Sequence, residues 1–385
     1  DRRTLRAAFA VGGDGARSLT RKTLGYGYSG EGGAVRDFMG GRMSAIYFRS
    51  PRLYEVLPHA QAWMYWTVNR DRRSFMAAIN GRDEFNFHTQ LRPHEEGRIS
   101  DADALDMFQA ALGAKLEVEL LSRSTWSAGY TLVAEKFASE RIFIGGDAAH
   151  LFTPTGGLGY NTAVEDAVNL GWKLAAVVNG WGGRVLLDSY EIERRAIAVR
   201  NTAFARGFAD SVGLFVAPDA LEEDSSEGAD ARRHAGDYLN THARAEFNIP
   251  GVTFGGRYDG SPITVPDGSA APPDAANDYI PSASPGGRAP HLWLGDETSL
   301  FDLFGFEFTL LRLGPRPPGA EPFVAVAETL GIPLKVVDVR SEEARVLYEA
   351  DLALIRPDQI VAWRGNDPAG AASVLRCVAG RMHAG

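Results

Sequence analysis

The stretch Gly146-Asp147-Ala148-Ala149-His150-Leu151-Phe152-Thr153-Pro154-Thr155-Gly156-Gly157-Leu158-Gly159-Tyr160-Asn161 decides how this chain is read. It follows a short apolar run, Arg141 to Ile144, that reads as a buried strand. It leads into a segment where Val164, Val168, Gly171, Leu174, Ala175 and Val178 recur at helical spacing. Thr162 and Glu165 have capping-box spacing and predict the helix start there, and Gly180 is placed to end it. Asp147 thus stands just past a strand end, where open α/β sheets bind ligands, and its carboxylate suits hydroxyls of the sugar type. The glycines that follow let backbone approach a ligand closely, and the helix start presents positive dipole to an anion.

Working outward, Leu5 to Val11 reads as a second buried strand, followed by the turn Gly12-Gly13-Asp14-Gly15-Ala16-Arg17-Ser18 and a short helix capped by Ser18 and stopped at Gly25. Between the two glycine turns, aromatic and β-branched segments alternate with turn signals: Ser44 to Arg49, Ala62 to Val68 and Ser74 to Asn80, the last two joined by the polar link Asn69 to Arg73. This predicts an antiparallel sheet, with a helix over Asp101 to Leu112. Alternation on Ala62 to Val68 puts Trp63, Tyr65 and Thr67 on one face and Met64, Trp66 and Val68 on the other. We expect the first face to meet a substrate, because Tyr65 and Thr67 offer hydroxyls. A further helix is expected from about Val185 past Phe204. From Ala217 to Pro290 acidic and then Pro/Gly/Asp/Ala-rich sequence reads as an irregular connection. The remainder reads as strand Phe308 to Leu313, helix Phe323 to Leu330, strand Leu334 to Val339, helix Glu342 to Tyr348, a hairpin of Leu352 to Ile355 and Ile360 to Trp363, and a helix Pro368 to Met382.

Composition narrows the classes. The 385 residues predict two or three domains at about 100–200 residues each. A net charge of −9 argues against a general binder of nucleic acid or anionic membrane. No apolar run approaches the ~20 residues of a membrane span. The single cysteine, Cys377, excludes an intrachain disulfide, a redox pair and a cysteine-built metal site. Neither a Ser-His-Asp triad nor a metal cluster is legible. A cytoplasmic address is the default expectation.

The glycine-rich string resembles the second flavin-binding motif of the FAD-dependent aromatic hydroxylases, the single-component monooxygenases of the para-hydroxybenzoate hydroxylase type. Gly13-Asp14-Gly15-Ala16-Arg17-Ser18 resembles the same family's Asp-Gly motif, and the two stand in the family's order. Asp351 to Gly365, Asp-Leu-Ala-Leu-Ile-Arg-Pro-Asp-Gln-Ile-Val-Ala-Trp-Arg-Gly, resembles the thioredoxin-like unit of the phenol and polyketide hydroxylase branch. The resemblance covers almost the whole chain and implies an α/β fold. Part of a Rossmann-like FAD-binding domain (1–27 and 136–216) would carry an inserted antiparallel substrate domain (28–135). A linker (217–290) would lead to a thioredoxin-like domain (291–385).

The resemblance further implies that Asp147 with Gly146 binds the ribityl chain of FAD, and that Tyr160 and Asn161 lie against the isoalloxazine ring. Gly157 and Gly159 would bring backbone to the flavin, Asp14 and Arg17 would sit near FAD and the path of NADH or NADPH, and Pro154 near the substrate's reacting ring. His150 reads as structural. The implied reaction is hydroxylation of a small phenolic or polycyclic aromatic substrate with NAD(P)H and O₂ through a flavin C4a-hydroperoxide. The alternatives are an epoxidase or Baeyer–Villiger-type oxygenase on the same fold, or a non-catalytic relative that lost FAD. The thioredoxin-like unit, lacking a cysteine pair, is expected to cover the core or to contribute to a homodimer interface.

The family also has a Gly-x-Gly-x-x-Gly turn before its Asp-Gly motif. Only thirteen residues precede Asp14, so that segment is expected to be absent from the chain, which should then bind FAD poorly. The literal match Gly25-Tyr26-Gly27-Tyr28-Ser29-Gly30 is rejected, since neither a buried strand precedes it nor a helix follows it.

Overall fold

The computed structural model describes residues 4–32, 40–95, 97, 99–213, 215–295 and 297–381. Residues 1–3 and 382–385 of the expected first and last units, Met382 among them, lie outside the described residues. In chain order the first half runs β1 (Ala10–Gly12), α1 (Leu19–Thr23), β2 (Tyr28–Glu31), β3 (Gly41–Arg49), α2 (Leu53–Val56), β4 (Met64–Val68), β5 (Arg73–Ala78), β6 (Glu84–Gln90), α3 (Asp101–Leu112), β7 (Glu119–Ala128), β8 (Thr131–Ala134), β9 (Ile142–Ile144) and β10 (His150–Leu151). Helices α4 (Leu158–Val178), α5 (Val185–Gly213), α6 (Ser226–Phe247) and α7 (Pro250–Phe254) follow. The chain then forms β11 (Phe308–Leu313), α8 (Glu321–Leu330), β12 (Leu334–Val339), α9 (Glu342–Tyr348), β13 (Leu352–Ile355), β14 (Val361–Gly365) and α10 (Ala371–Val378).

Strands β1 and β9 pair in parallel, with Gly12 opposite Ile144, so the two glycine turns leave the same sheet end side by side. The strand expected from Leu5 is shorter than its apolar run: pairing begins at Ala10, opposite the first residue of the three-residue β9, and Leu5 is 91% exposed. The inserted sheet has the order β4-β5-β6-β3-β7, antiparallel throughout. One face packs on α3, burying Ile46, Phe48, Met76, Phe85, Phe87 and Phe108. Helix α3 starts where Ser100 and Asp103 form a capping box and stops at the left-handed Gly113.

Three expectations are corrected. Helix α4 begins at Leu158, one turn before Thr162, so Thr162 and Glu165 do not cap it. Thr162 is buried instead and accepts from Asn201 Nδ2 at 3.1 Å, while Glu165 pairs with Arg194. The linker 217–290 is not irregular throughout, because residues 226–247 form α6, capped by Ser225 accepting from Gly228 N. The helix expected over Pro368 to Met382 is a short tight turn, Pro368–Gly370, followed by α10.

The last unit has the sheet order β12-β11-β13-β14, with β11 parallel to β12 and antiparallel to β13. Helices α8 and α10 bury Phe323, Ala327, Val374, Leu375 and Val378 against this sheet. This βαβ-then-ββα arrangement is thioredoxin-like. Trp172 and Trp181, from α4 and the turn after it, pack against the same core and join the unit to the rest of the chain.

Candidate active site

The glycine turn is built by a network sequence reading did not find. Asp166, one helical face down α4, accepts from Gly146 N at 3.0 Å, lies 2.7 Å from His150 Nε2 and accepts from Arg194 Nε at 2.7 Å. All three side chains are buried. Burial works to raise the Asp166 carboxyl, but the His150 hydrogen bond and the Arg194 guanidinium override it and hold it below the usual carboxylate range. His150 is therefore a structural partner of Asp166. The result is a fixed turn that leaves the Asp147 side chain exposed beyond it.

Past Pro154 the chain turns through Gly156 and Gly157, with φ of 70° and 64°. This left-handed pair is where L side chains are disfavoured. A Cβ on Gly156 would also approach Phe208 to 3.2 Å. Thr155 Oγ1 donates to Ala205 O, and Gly156 N donates to Glu246 Oε1 at 2.9 Å. Helix α4 then starts without a side-chain cap on its first turn, leaving its amide dipoles for a ligand.

Arg17, Asp147, Pro154, Gly157, Gly159 and Tyr160 come together on one cleft of about 800 Å³, with Tyr160 80% exposed. Asn161 stands beside them and donates to Gly157 O at 2.9 Å. Asp147 and Gly146 also line a second cleft of about 410 Å³, with Gly13, Gly15, Ala163 and Ala167. Asp14 folds back on its own turn, accepting from Ser18 Oγ, Thr20 N and Thr20 Oγ1. The Ser18 hydroxyl, then the Thr20 amide, hold its carboxyl well below the usual range.

The opposite wall of the larger cleft is Arg42, Thr125, Trp126, Ser127 and Tyr130, from β3, β7 and the turn after it. Behind Trp126 stands an aromatic layer. Trp126 Nε1 donates to His88 Nδ1 at 3.2 Å, and His88 stacks on Phe75 with ring centroids 4.5 Å apart. Burial pushes the His88 imidazole down to about 4, so it is neutral at physiological pH. Trp66 packs in the same layer with Met43, Phe75 and Trp126.

Tyr65 and Thr67 are not brought to this cleft, which corrects the expected face of β4. Tyr65 packs into the α3-side core, and its hydroxyl accepts from Ala62 N and donates to Ala60 O. Thr67 shares that face by alternation. The reason is the cover: α3 takes the Tyr65 face, and the Trp66 face packs into the layer behind the cleft's Trp126 wall.

The site fits a flavin nucleotide on four counts visible in this structure. It has an exposed carboxylate between two clefts, an uncapped helix start and backbone at Gly13 and Gly157 facing open space, with an aromatic wall opposite. Parallel strands ending in paired glycine turns define a nucleotide-cofactor protein of the α/β class. The FAD binding domain family matches residues 1–205, and the family described as aromatic-ring hydroxylase, C-terminal, matches residues 282–382. The chain belongs to the FAD-dependent aromatic-ring hydroxylases, flavoprotein monooxygenases that carry out oxidoreductase chemistry. It is 32% identical over 391 residues to the FAD-dependent monooxygenase opdD of Penicillium oxalicum, covering 95% of this chain and 72% of that protein. Among solved structures it is similar to the rebeccamycin biosynthetic enzyme RebC with reduced flavin, at 33% identity and a TM-score of 0.85, covering 97% of this chain and 68% of that one. It is also similar to the flavin-dependent monooxygenase PieE in complex with FAD and substrate, at 27% identity and a TM-score of 0.82, covering 98% of this chain and 71% of that one. The chain spans 72% of the length of that Penicillium protein and 60% of the length of another curated relative, the FAD-dependent monooxygenase apdD of Emericella nidulans. Among the described residues no helix is long and apolar enough to cross a membrane.

Proposed function

We propose that this chain serves an FAD-dependent oxygenase that hydroxylates a phenolic aromatic compound, with NADH or NADPH as electron donor. The observation that carries the reading is the cleft of about 800 Å³ between the Asp147–Tyr160 turn and the Trp126 wall. In this reading residues 1–27 and 136–216 hold the flavin and 28–135 the aromatic substrate. FAD, when bound, supplies the electron transfer and the activation of O₂. The Asp147 carboxylate accepts the ribityl hydroxyls. The uncapped first-turn amides of α4 would offer a bound flavin a preorganised dipole for the negative charge it acquires, with no rearrangement needed. Tyr160 would cover the ring, Arg17 would serve the electron donor, and Pro154 with Trp126 would bound the space left for substrate. The aromatic layer of Trp66, Phe75 and His88 excludes water behind that space.

A second reading is supported by the size of the cleft and the likeness to RebC. The substrate is then a fused aromatic compound, and the oxygenation is an epoxidation or an insertion beside a carbonyl. One experiment separates the readings. FAD is titrated into the protein while its visible absorption is followed, then NADH or NADPH oxidation is measured with single-ring and fused phenols under ¹⁸O₂. A flavin band with a bathochromic shoulder, and a product carrying one labelled phenolic hydroxyl, is the expected result. A labelled ester or epoxide favours the second reading, and failure to take up FAD at any concentration, even with an amino-terminal extension that supplies a Gly-x-Gly-x-x-Gly turn, overturns both.

A further inference from the structure

Helix α6 is strongly polar, yet it turns a histidine and a glutamate inward one turn apart. His242 and Glu246 are 3% and 4% exposed. At a spacing of four they share one helix face. His242 Nε2 lies 2.7 Å from Glu246 Oε2, and His242 Nδ1 lies 2.9 Å from Ser211 Oγ near the end of α5. The other carboxylate oxygen, Oε1, accepts from Gly156 N, the first left-handed residue of the turn that opens α4. On its other side the His242 ring meets Trp66, with centroids 5.3 Å apart. One hydrogen-bonded pair thus links the aromatic layer behind one wall of the cleft, through His242, to the glycine turn that shapes the other, through Glu246.

A buried ionisable pair is a poor choice where only packing is needed, since hydrophobic residues of similar volume hold a helix as well or better. What a hydrophobic pair cannot do is bind an amide N–H of a turn whose conformation sets the direction of the next helix. Tight packing alone does not fix that turn, because glycine has the widest choice of backbone conformations. We infer that Glu246 and His242 are positioning residues for the glycine turn. Glu246 anchors Gly156, and so the aim of the α4 amides, while His242 fixes Glu246 and sets its spacing from the aromatic wall. The inference rests on the flavin reading above, because it is the flavin that those amides are aimed at.

The test compares Glu246→Ala, Glu246→Gln and Tyr238→Phe in the full chain. Gln keeps an acceptor for Gly156 N. Tyr238→Phe removes a different α6-to-α5 bond, Tyr238 Oη to Ser211 O at 2.7 Å, and leaves the turn alone. Two readouts are taken: hydrogen exchange of the amides in 155–159 without flavin, and FAD affinity by fluorescence quenching. In Glu246→Ala, exchange is expected to quicken and FAD affinity to fall by about tenfold each, the scale of one buried bond to a charged acceptor. Glu246→Gln is expected to restore both to within about twofold, and Tyr238→Phe to leave both as in the wild type. Unchanged exchange in Glu246→Ala overturns the inference. So does faster exchange with unchanged affinity, or a Tyr238→Phe variant that behaves like Glu246→Ala. A wild-type chain that takes up no FAD even when an amino-terminal extension supplies a Gly-x-Gly-x-x-Gly turn defeats the flavin reading first, which separates the two failures.

Discussion

Asp166 organises the turn that presents Asp147, although its partners Gly146, His150 and Arg194 lie 20, 16 and 28 residues away. Replacing it by alanine leaves the buried Arg194 without its principal counter-charge and Gly146 N without its acceptor. Such a loss costs about 3–5 kcal/mol, so Asp166→Ala should lower the urea midpoint markedly at neutral pH with little change in slope. Flavin affinity should fall with it. A variant with wild-type stability would show that the cluster does not hold the turn. This residue also marks how far the sequence speaks. The exposed members of the site, Asp147, Pro154 and Tyr160, stand in one string and can be read together. Asp166 cannot, because its role exists only once α4 and α5 are packed. Asp14 was legible as a turn residue; that its carboxylate is consumed by Ser18 and Thr20 was not.

At the scale of elements, period-two alternation on β4 separated two faces correctly but carried no information on which one meets the cleft. That choice is made by α3, an element from elsewhere in the chain. The offer of hydroxyls by Tyr65 and Thr67 was the wrong guide, since the Tyr65 hydroxyl is satisfied locally by Ala60 and Ala62. The two faces should separate in kinetics. Trp126→Ala is expected to raise the aromatic substrate's KM by roughly tenfold, as loss of about 1.4 kcal/mol of contact would. Tyr65→Phe should leave KM unchanged. The reverse ranking would return the substrate to the α3 face. Helix α6 is not legible in the sequence for a related reason: its run of charged and small residues has the composition of a loop, and the inward pair His242 and Glu246 is too sparse to give a hydrophobic period.

Across the whole molecule, the thioredoxin-like unit is fastened to the flavin half by charge. Arg356, in the turn after β13, donates to both oxygens of Glu193 on α5, at 2.6 and 2.9 Å. Lys173 on α4 donates to Glu193 at 2.6 Å, and Ser261 Oγ joins at 2.6 Å. Asp358 closes the set on Arg356 and accepts from Asn169 Nδ2. Glu193, Arg356 and Lys173 are fully buried. Burial alone would raise the Glu193 carboxyl, but Arg356 and then Lys173 hold it well below its ordinary value of 4.5. The sign follows from linkage. Above pH 4.5 the carboxylate is ionised in both states and its stabilisation is complete; as pH falls below 4.5 the unfolded chain takes the proton first and that stabilisation is lost. Glu193→Gln should therefore be less stable than wild type at pH 7, and should lose less further stability between pH 4.5 and 3. Parallel urea curves for the two proteins across that range would count against the assignment. The order of elements in this unit was legible from its strand and helix signals, but its attachment was not, because Glu193 and Arg356 lie 163 residues apart.

That fastening limits what can be recombined. A chimaera that exchanges the carboxy-terminal unit for one from another hydroxylase joins two surfaces whose charges were matched to each other. If the incoming turn brings a neutral residue in place of Arg356, Glu193 and Lys173 inherit a buried site without its third member, and the fault is felt on α4 and α5, the helices that frame the glycine turn. A cut before 291 is thus not a neutral seam, and residues 169, 173, 193, 356 and 358 are better transplanted together than apart.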